Sequence, residues 1–170
     1  MEANFDPCMA FTLPEEGGYV NDPDDAGGAT NRGITLNTLR DYRGDPDLGV
    51  ADIKALSEDE AKAIYHENYW PQCAALPSGV DLMVFDMGVN AGPGRAIMQL
   101  QGILQVALDG HIGPQTLAQV AKHLAHELVA SLGLVQTSYY KGLTTFWKFG
   151  KGWLGRVDRR ETAALKMATA

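Results

Sequence analysis

The run LPEEGGYVNDPDDAGGATNRGIT, residues 13–35, packs five carboxylates, five glycines and two prolines into one short stretch. Its acids are Glu15, Glu16, Asp22, Asp24 and Asp25. Two readings compete for it: a solvated acidic loop, or a rigid turn that aims a carboxylic acid at a substrate. Upstream, Phe5, Met9, Thr12 and Leu13 recur at helical spacing and predict a helix that leads into Glu16 and stops at Gly17-Gly18. Pro14 is an awkward residue so near that end. Residues 19–33 place glycine, Asp and Asn at turn positions and predict a loop or short hairpin. Thr35 is then placed to cap a helix over residues 36–42.

Working outward, the rest reads as helix. Ser57-Glu58-Asp59-Glu60 is a capping box, and the helix behind it sets Ala61, Ile64, Tyr65 and Asn68 on one side before ending near Tyr69-Trp70-Pro71. Ser78 opens a helix carrying Val80, Met83, Val84 and Met87. Gly92-Pro93-Gly94 breaks the pattern, which resumes over residues 96–106. Further helices are expected from Gly113-Pro114 to about Leu124, over residues 127–143 and over residues 157–167. Strand patterns are nearly absent. The expectation is a mainly α fold with a small β or loop excursion near residues 19–35. A softer boundary near residues 74–78 divides an N-terminal lobe, 1–75, from a helical C-terminal lobe, 76–170.

With 170 residues, 45% of them hydrophobic, the chain can build a core without disulfides or metals. Cys8 and Cys73 permit one bridge, but their spacing does not demand it, and free buried thiols are expected. A net charge of −7 argues against a general nucleic-acid binder. The charge is uneven, since the segment from Lys141 onward holds seven basic and two acidic side chains. That asymmetry suits either contact with an anionic surface or a solvated helix face. No apolar run approaches the roughly 20 residues that span a bilayer. The opening MEANFDPCMAFTLPE has neither a basic n-region nor an unbroken apolar h-region, so no signal peptide is expected.

Glu16 stands where a helix should end, beside two glycines that cannot crowd a ligand. A carboxyl at such a corner can face a cleft while its other side packs on the core. Partial burial keeps a carboxyl protonated near neutral pH and ready to donate. Breaking a glycosidic bond needs such an acid, and usually a second carboxylate to manage a water or a developing cation. Asp24 and Asp25 follow across the turn, and Thr30 and Asn31 add neutral groups able to orient a water.

The run EGGYVNDPDDAGGATNRGIT, residues 16–35, closely resembles the signature of family 108 of the glycoside hydrolases, muramidases of bacteria and phages with a lysozyme-like fold. LQGILQVALDGHIGPQTLAQV, residues 100–120, resembles the predicted peptidoglycan-binding region that follows it in those proteins. FDMGVNAGPGRA, residues 85–96, and GKGWLGRV, residues 150–157, fit as well. The resemblance implies a peptidoglycan hydrolase cutting the β-1,4 bond between N-acetylmuramic acid and N-acetylglucosamine. It implies Glu16 as the catalytic acid, with Glu15 replaceable. Glu16, Asp25 and Thr30 echo the Glu, Asp, Thr order of phage-type lysozymes, with Asp24 a weaker candidate than Asp25. No cofactor is implied. The partner is a peptidoglycan glycan strand, and the chain is expected to be a monomer. The small form looks like a phage endolysin that accumulates in the host cytoplasm and reaches the wall through a holin-like pore. A lytic transglycosylase yielding 1,6-anhydro products, or a non-catalytic wall binder, are the alternatives.

Other candidates carry a bland reading beside the functional one. Tyr19, Asp86, Asn90, Tyr139, Tyr140 and Trp70 could line a sugar groove, or pack the core and cap the surface. Asp109-Gly110-His111-Ile112-Gly113-Pro114 suits glycan contact or a plain turn between helices. Trp147, Phe149 and Trp153 suit a wall-contact patch or an aromatic core. A calcium loop at residues 22–33 fails, because Ala26 and Gly33 occupy ligand positions. His123 and His126 share a helix face but lack an evident third ligand, so no metal is expected.

Overall fold

A computed structural model describes residues 2–21 and 28–169. Among them, helices dominate and the only sheet has two short strands. Their contacts divide the chain into two compact units, residues 9–68 and residues 1–8 with 69–170.

The first helix, α1, runs over Phe5–Glu15, and Pro14 is tolerated inside its last turn. Glu16 closes it with a 3.3 Å bond from its amide to the Leu13 carbonyl. Gly17 follows at φ +74°, the left-handed geometry that stops helices and that glycine enters without strain. Strands β1 (Thr30–Asn31) and β2 (Ile34–Thr35) pair antiparallel, Thr30 opposite Thr35. Arg32 and Gly33 join them at φ +52° and +74°, the paired positive φ of a tight hairpin turn. Val20 bridges to the other edge of Thr30.

Helix α2 (Leu36–Arg43) starts as expected, with the Thr38 amide donating to Thr35 Oγ1 at 3.1 Å. A short helix, α3 (Val50–Lys54), had no counterpart in the hydropathy pattern. Five residues are too few to show a period, and its start rests on the Gly49 amide donating to Asp52 at 2.8 Å. Helix α4 (Glu58–Cys73) begins with the Ser57 cap, the Glu60 amide donating to its hydroxyl at 3.1 Å. The Glu60 carboxylate takes a two-bond fork from Arg43, both contacts 2.7 Å, tying α2 to α4. Leu39, Ile53, Leu56, Ile64 and Tyr65 are among the buried side chains of this unit.

In the other unit, α4 continues past Pro71, where the expected end lay. Packing explains it: Trp70 is fully buried, edge-on to both Phe5 and Phe85, and donates to Glu2. Those contacts hold the turn that Pro71, lacking an amide hydrogen, weakens. Helix α5 (Val80–Ala91) is buried continuously from Val80 to Gly88 and packs against α6 (Pro93–Leu104), α8 (Ala125–Lys141) and α9 (Phe146–Ala168). Helix α7 (Pro114–Val120) stops one turn short of Leu124. Helix α9 starts eleven positions before the expected 157, because Gly150, Gly152 and Gly155 mask its pattern. Gly150 is not idle there, since a side chain on it would strike the Phe146 ring. Cys8 and Cys73 are buried free thiols.

Candidate active site

The site builds from the corner at the end of α1. Glu16 is half-buried. On one side lies the hairpin turn: a Cβ placed on Gly33 would sit 2.8 Å from Glu16 Oε2 and 3.1 Å from Glu16 Cβ, and would overlap the Tyr65 hydroxyl. The acid and the phenol therefore both press on the bare face of Gly33. On the other side, a Cβ on Gly17 or Gly18 would meet no described atom within 4 Å. The acid is thus walled by a turn and a helix, and among the described residues nothing crowds the glycine pair beside it.

Tyr65 comes from α4, is 1% exposed, and donates its hydroxyl proton to the Arg32 carbonyl at 2.8 Å. It joins the acid's surroundings although its sequence pattern marked it only as part of a helix face. A buried tyrosine needs a partner for its hydroxyl, and that was the available signal. Thr30 is half-buried, its backbone held on both edges by Val20 and Thr35. Asn31, expected to orient a water or bind substrate, has another task. It is 7% exposed, and its amide nitrogen donates to the carbonyls of Ile53 at 3.0 Å and Lys54 at 3.2 Å. It caps α3, because the last carbonyls of a helix lack partners of their own. Tyr19 is 36% exposed, with the Lys54 ammonium 5.7 Å over its ring. Asp24 and Asp25 lie outside the described residues.

The remaining expected contacts fall in the other unit. Asp86 is fully buried and accepts from Arg156 Nε at 3.0 Å, Arg156 Nη2 at 2.7 Å and Arg160 Nη1 at 2.6 Å. Burial pushes its pKa up, but the bonds from Arg156 and the charge of Arg160 outweigh this and hold it below the ordinary carboxylate range. Arg160 also donates to Gln136 at 2.6 Å, and Gln136 to the Met83 carbonyl at 3.1 Å. This corrects the groove expectation for Asp86: a carboxylate that far from water must be paired, and here it staples α5 to α9. Asn90 is exposed and accepts from the Tyr140 hydroxyl at 2.6 Å. Tyr139 packs edge-on to Tyr140 and carries the Arg95 guanidinium 5.0 Å over its ring. Asn90 and Tyr139 are thus brought together around Tyr140, which also stacks on Trp153.

At Asp109–Gly110–His111 the bonds build a turn. Gln101 donates to Asp109 Oδ1 at 2.6 Å and accepts from the Gly110 amide at 3.0 Å, while the His111 amide donates to Asp109 at 2.9 Å. In α9, Trp153 is half-buried, whereas Trp147 is 84% exposed. Arg156 and Arg160 belong to the Asp86 cluster, so two of the seven basic groups of this segment are spent internally.

The glycosyl hydrolase 108 family model matches residues 9–92, and the predicted peptidoglycan domain model matches residues 95–158. The solved structure of Brucella abortus SagA is similar over 100% of this chain and 98% of its own, with 42% identity and a TM-score of 0.88. No functionally curated protein matches.

Proposed function

Because the chain belongs to the glycosyl hydrolase 108 family, with a lysozyme-like fold and a following peptidoglycan domain, we propose that it is an N-acetylmuramidase with Glu16 as its acid. The coarser statement follows from the family alone: it is a glycoside hydrolase of peptidoglycan. The observation that carries the finer one is the corner itself. Glu16 is half-buried against Gly33 and Tyr65, and among the described residues nothing crowds Gly17-Gly18 beside it.

In this reading protonated Glu16 gives its proton to the oxygen bridging N-acetylmuramic acid and N-acetylglucosamine. The bond from the anomeric carbon to that oxygen breaks, and its electron pair leaves with the oxygen. A water adds its hydroxyl to the cationic carbon and loses its proton to Asp25, or, oriented by Thr30, loses it to the Glu16 carboxylate that the first step leaves. Tyr19, Asn90 and Tyr139 are proposed as sugar contacts through their ring faces and amide. The exposed Trp147, Phe149, Lys148 and Lys151 are proposed to meet an anionic envelope, supported by the charge asymmetry of the segment. Activity on whole cells should then fall with added salt more than activity on soluble fragments. A role as a phage endolysin, released to the wall by a holin-like pore, and action as a monomer belong to the same proposal.

A turbidity assay on purified peptidoglycan tests the core of it. Glu16→Gln should lower the rate by about a hundred- to ten-thousand-fold, while Glu15→Gln stays near the parent. An undiminished Glu16→Gln enzyme would remove the assignment. Mass spectrometry of the released fragments checks the chemistry, since 1,6-anhydromuramic ends would identify a transglycosylase.

A further inference from the structure

We propose that Arg95 and Asn90 form a subsite for a free carboxylate of the peptidoglycan stem peptide; this rests on peptidoglycan being the partner, not on Glu16 being the acid. Both residues are exposed and flank the Gly92-Pro93-Gly94 turn that joins α5 to α6. They lie wholly within the unit of residues 1–8 and 69–170. A Cβ on Gly92 or Gly94 would meet no described atom within 4 Å, so nothing described crowds the turn between them.

The Arg95 guanidinium lies 5.0 Å over the Tyr139 ring, and among the described residues it forms no hydrogen bond or ion pair. Tyr139 is set edge-on to Tyr140, centroids 5.2 Å apart, and Tyr140 is buried and stacked on Trp153. The ring under the guanidinium is therefore backed by the core. Stacking holds the planar fork of Arg95 without using its N–H groups. No acidic side chain occurs between Asp86 and Asp109 or between Glu127 and Asp158, so α6 and the rest of α8 offer Arg95 no carboxylate. On the other side of the turn, Asn90 Oδ1 accepts the Tyr140 hydroxyl proton at 2.6 Å. The buried Arg156 and Arg160 act on the same hydroxyl, and their positive charge draws its oxygen and leaves its proton to Asn90. With Oδ1 engaged, Asn90 offers a ligand the two hydrogens of Nδ2, which meet no described partner.

The two residues thus present donors, and donors select a group that only accepts. A sugar hydroxyl both donates and accepts, whereas a carboxylate only accepts and takes the guanidinium fork two bonds at a time. In peptidoglycan the stem peptide carries free carboxylates and hangs from the lactyl group of N-acetylmuramic acid. A carboxylate at Arg95 therefore stands next to the sugar contacts proposed for Asn90 and Tyr139, and Asn90, with two amide hydrogens, can serve both.

The test is an NMR titration with N-acetylglucosaminyl-N-acetylmuramyl-tetrapeptide, which lacks the bond a muramidase cuts, so the parent protein is used intact. The comparison ligands are the same molecule with its carboxyls converted to carboxamides, and the peptide-free N-acetylglucosamine disaccharide. The parent should bind the carboxylate form about tenfold more tightly than the carboxamide form, and added salt should weaken only the former. Arg95→Gln should abolish that preference and leave the two comparison ligands within about twofold, while Arg95→Lys, which keeps the charge but not the fork, should retain part of it. Asn90→Asp keeps an acceptor for Tyr140, puts negative charge where the donors were, and should also weaken the carboxylate form about tenfold. Thermal melts of the Arg95 variants should match the parent within about 2 °C, as expected of exposed positions. Equal affinity of the parent for both peptide forms, no binding of either, or an equal loss of both in Arg95→Gln would overturn the subsite. Those results leave the acid assignment standing if Glu16→Gln is inactive in turbidity; an active Glu16→Gln removes the acid and leaves the subsite.

Discussion

Gly33→Ala is the substitution that most directly probes the corner. The residue sits at φ +74°, where a side chain costs about 1–2 kcal/mol. The added methyl would also lie 2.8 Å from Glu16 Oε2, closer than real Cβ atoms come to other heavy atoms, and would overlap the Tyr65 hydroxyl. Relieving that overlap pushes Tyr65 off the Arg32 carbonyl, at about 1 kcal/mol, and strains a packed surface by about 1 kcal/mol or more. The sum is about 3–5 kcal/mol, or roughly 6–20 °C in Tm for a chain of this size. Gly44→Ala is the matched control. Gly44 has φ +65° at the end of α2, and a Cβ there meets no described atom within 4 Å. It should lose only the backbone part, about 1–2 kcal/mol, with turnover unchanged. Urea denaturation gives the two stabilities, and turbidity on purified peptidoglycan gives the two rates. Gly33→Ala should be the less stable variant and should also turn over more slowly per folded molecule. If the two alanine variants were equally stable and equally active, the crowding at Gly33 would have no consequence, and the reading of the corner would fail.

Three other outcomes follow from the structure. Asp86→Ala should cost about 3–5 kcal/mol at neutral pH, since Arg156 and Arg160 are left charged and buried. Because the native Asp86 pKa is depressed, its stabilisation is complete above the unfolded value near ~3.9 and is lost as pH falls through the native one; urea midpoints of parent and variant should converge as pH drops below about 4. Asn31→Asp replaces the donor to the Ile53 and Lys54 carbonyls with an acceptor and should destabilise by about 1–3 kcal/mol, read from thermal melts beside Asn31→Ala. Burial pushes the Cys73 thiol up to about 12 and raises Cys8 as well, so both should resist a thiol reagent at pH 8 in the native protein and react fully in denaturant.

The sequence by itself determined the features that depend on near neighbours. The halt at Gly17, the Thr35 and Ser57 caps, the hairpin near Thr30 and the placement of Glu16 at a helix end beside two glycines are local, because backbone torsions and cap bonds are settled within a few residues. Two local signals misled. Pro71 suggested an end to α4 that Trp70 packing overrode, and glycines hid the first half of α9. Only the tertiary structure decided which polar side chains serve the fold and which stand at the site. Asn31 sits beside the acid's turn in sequence yet caps α3, while Tyr65, over thirty positions away, reaches Arg32 and Gly33. Asp86 meets arginines seventy and seventy-four positions distant. A buried polar group must find a partner wherever the packed chain puts one, and that distance through space is not written in the spacing along it.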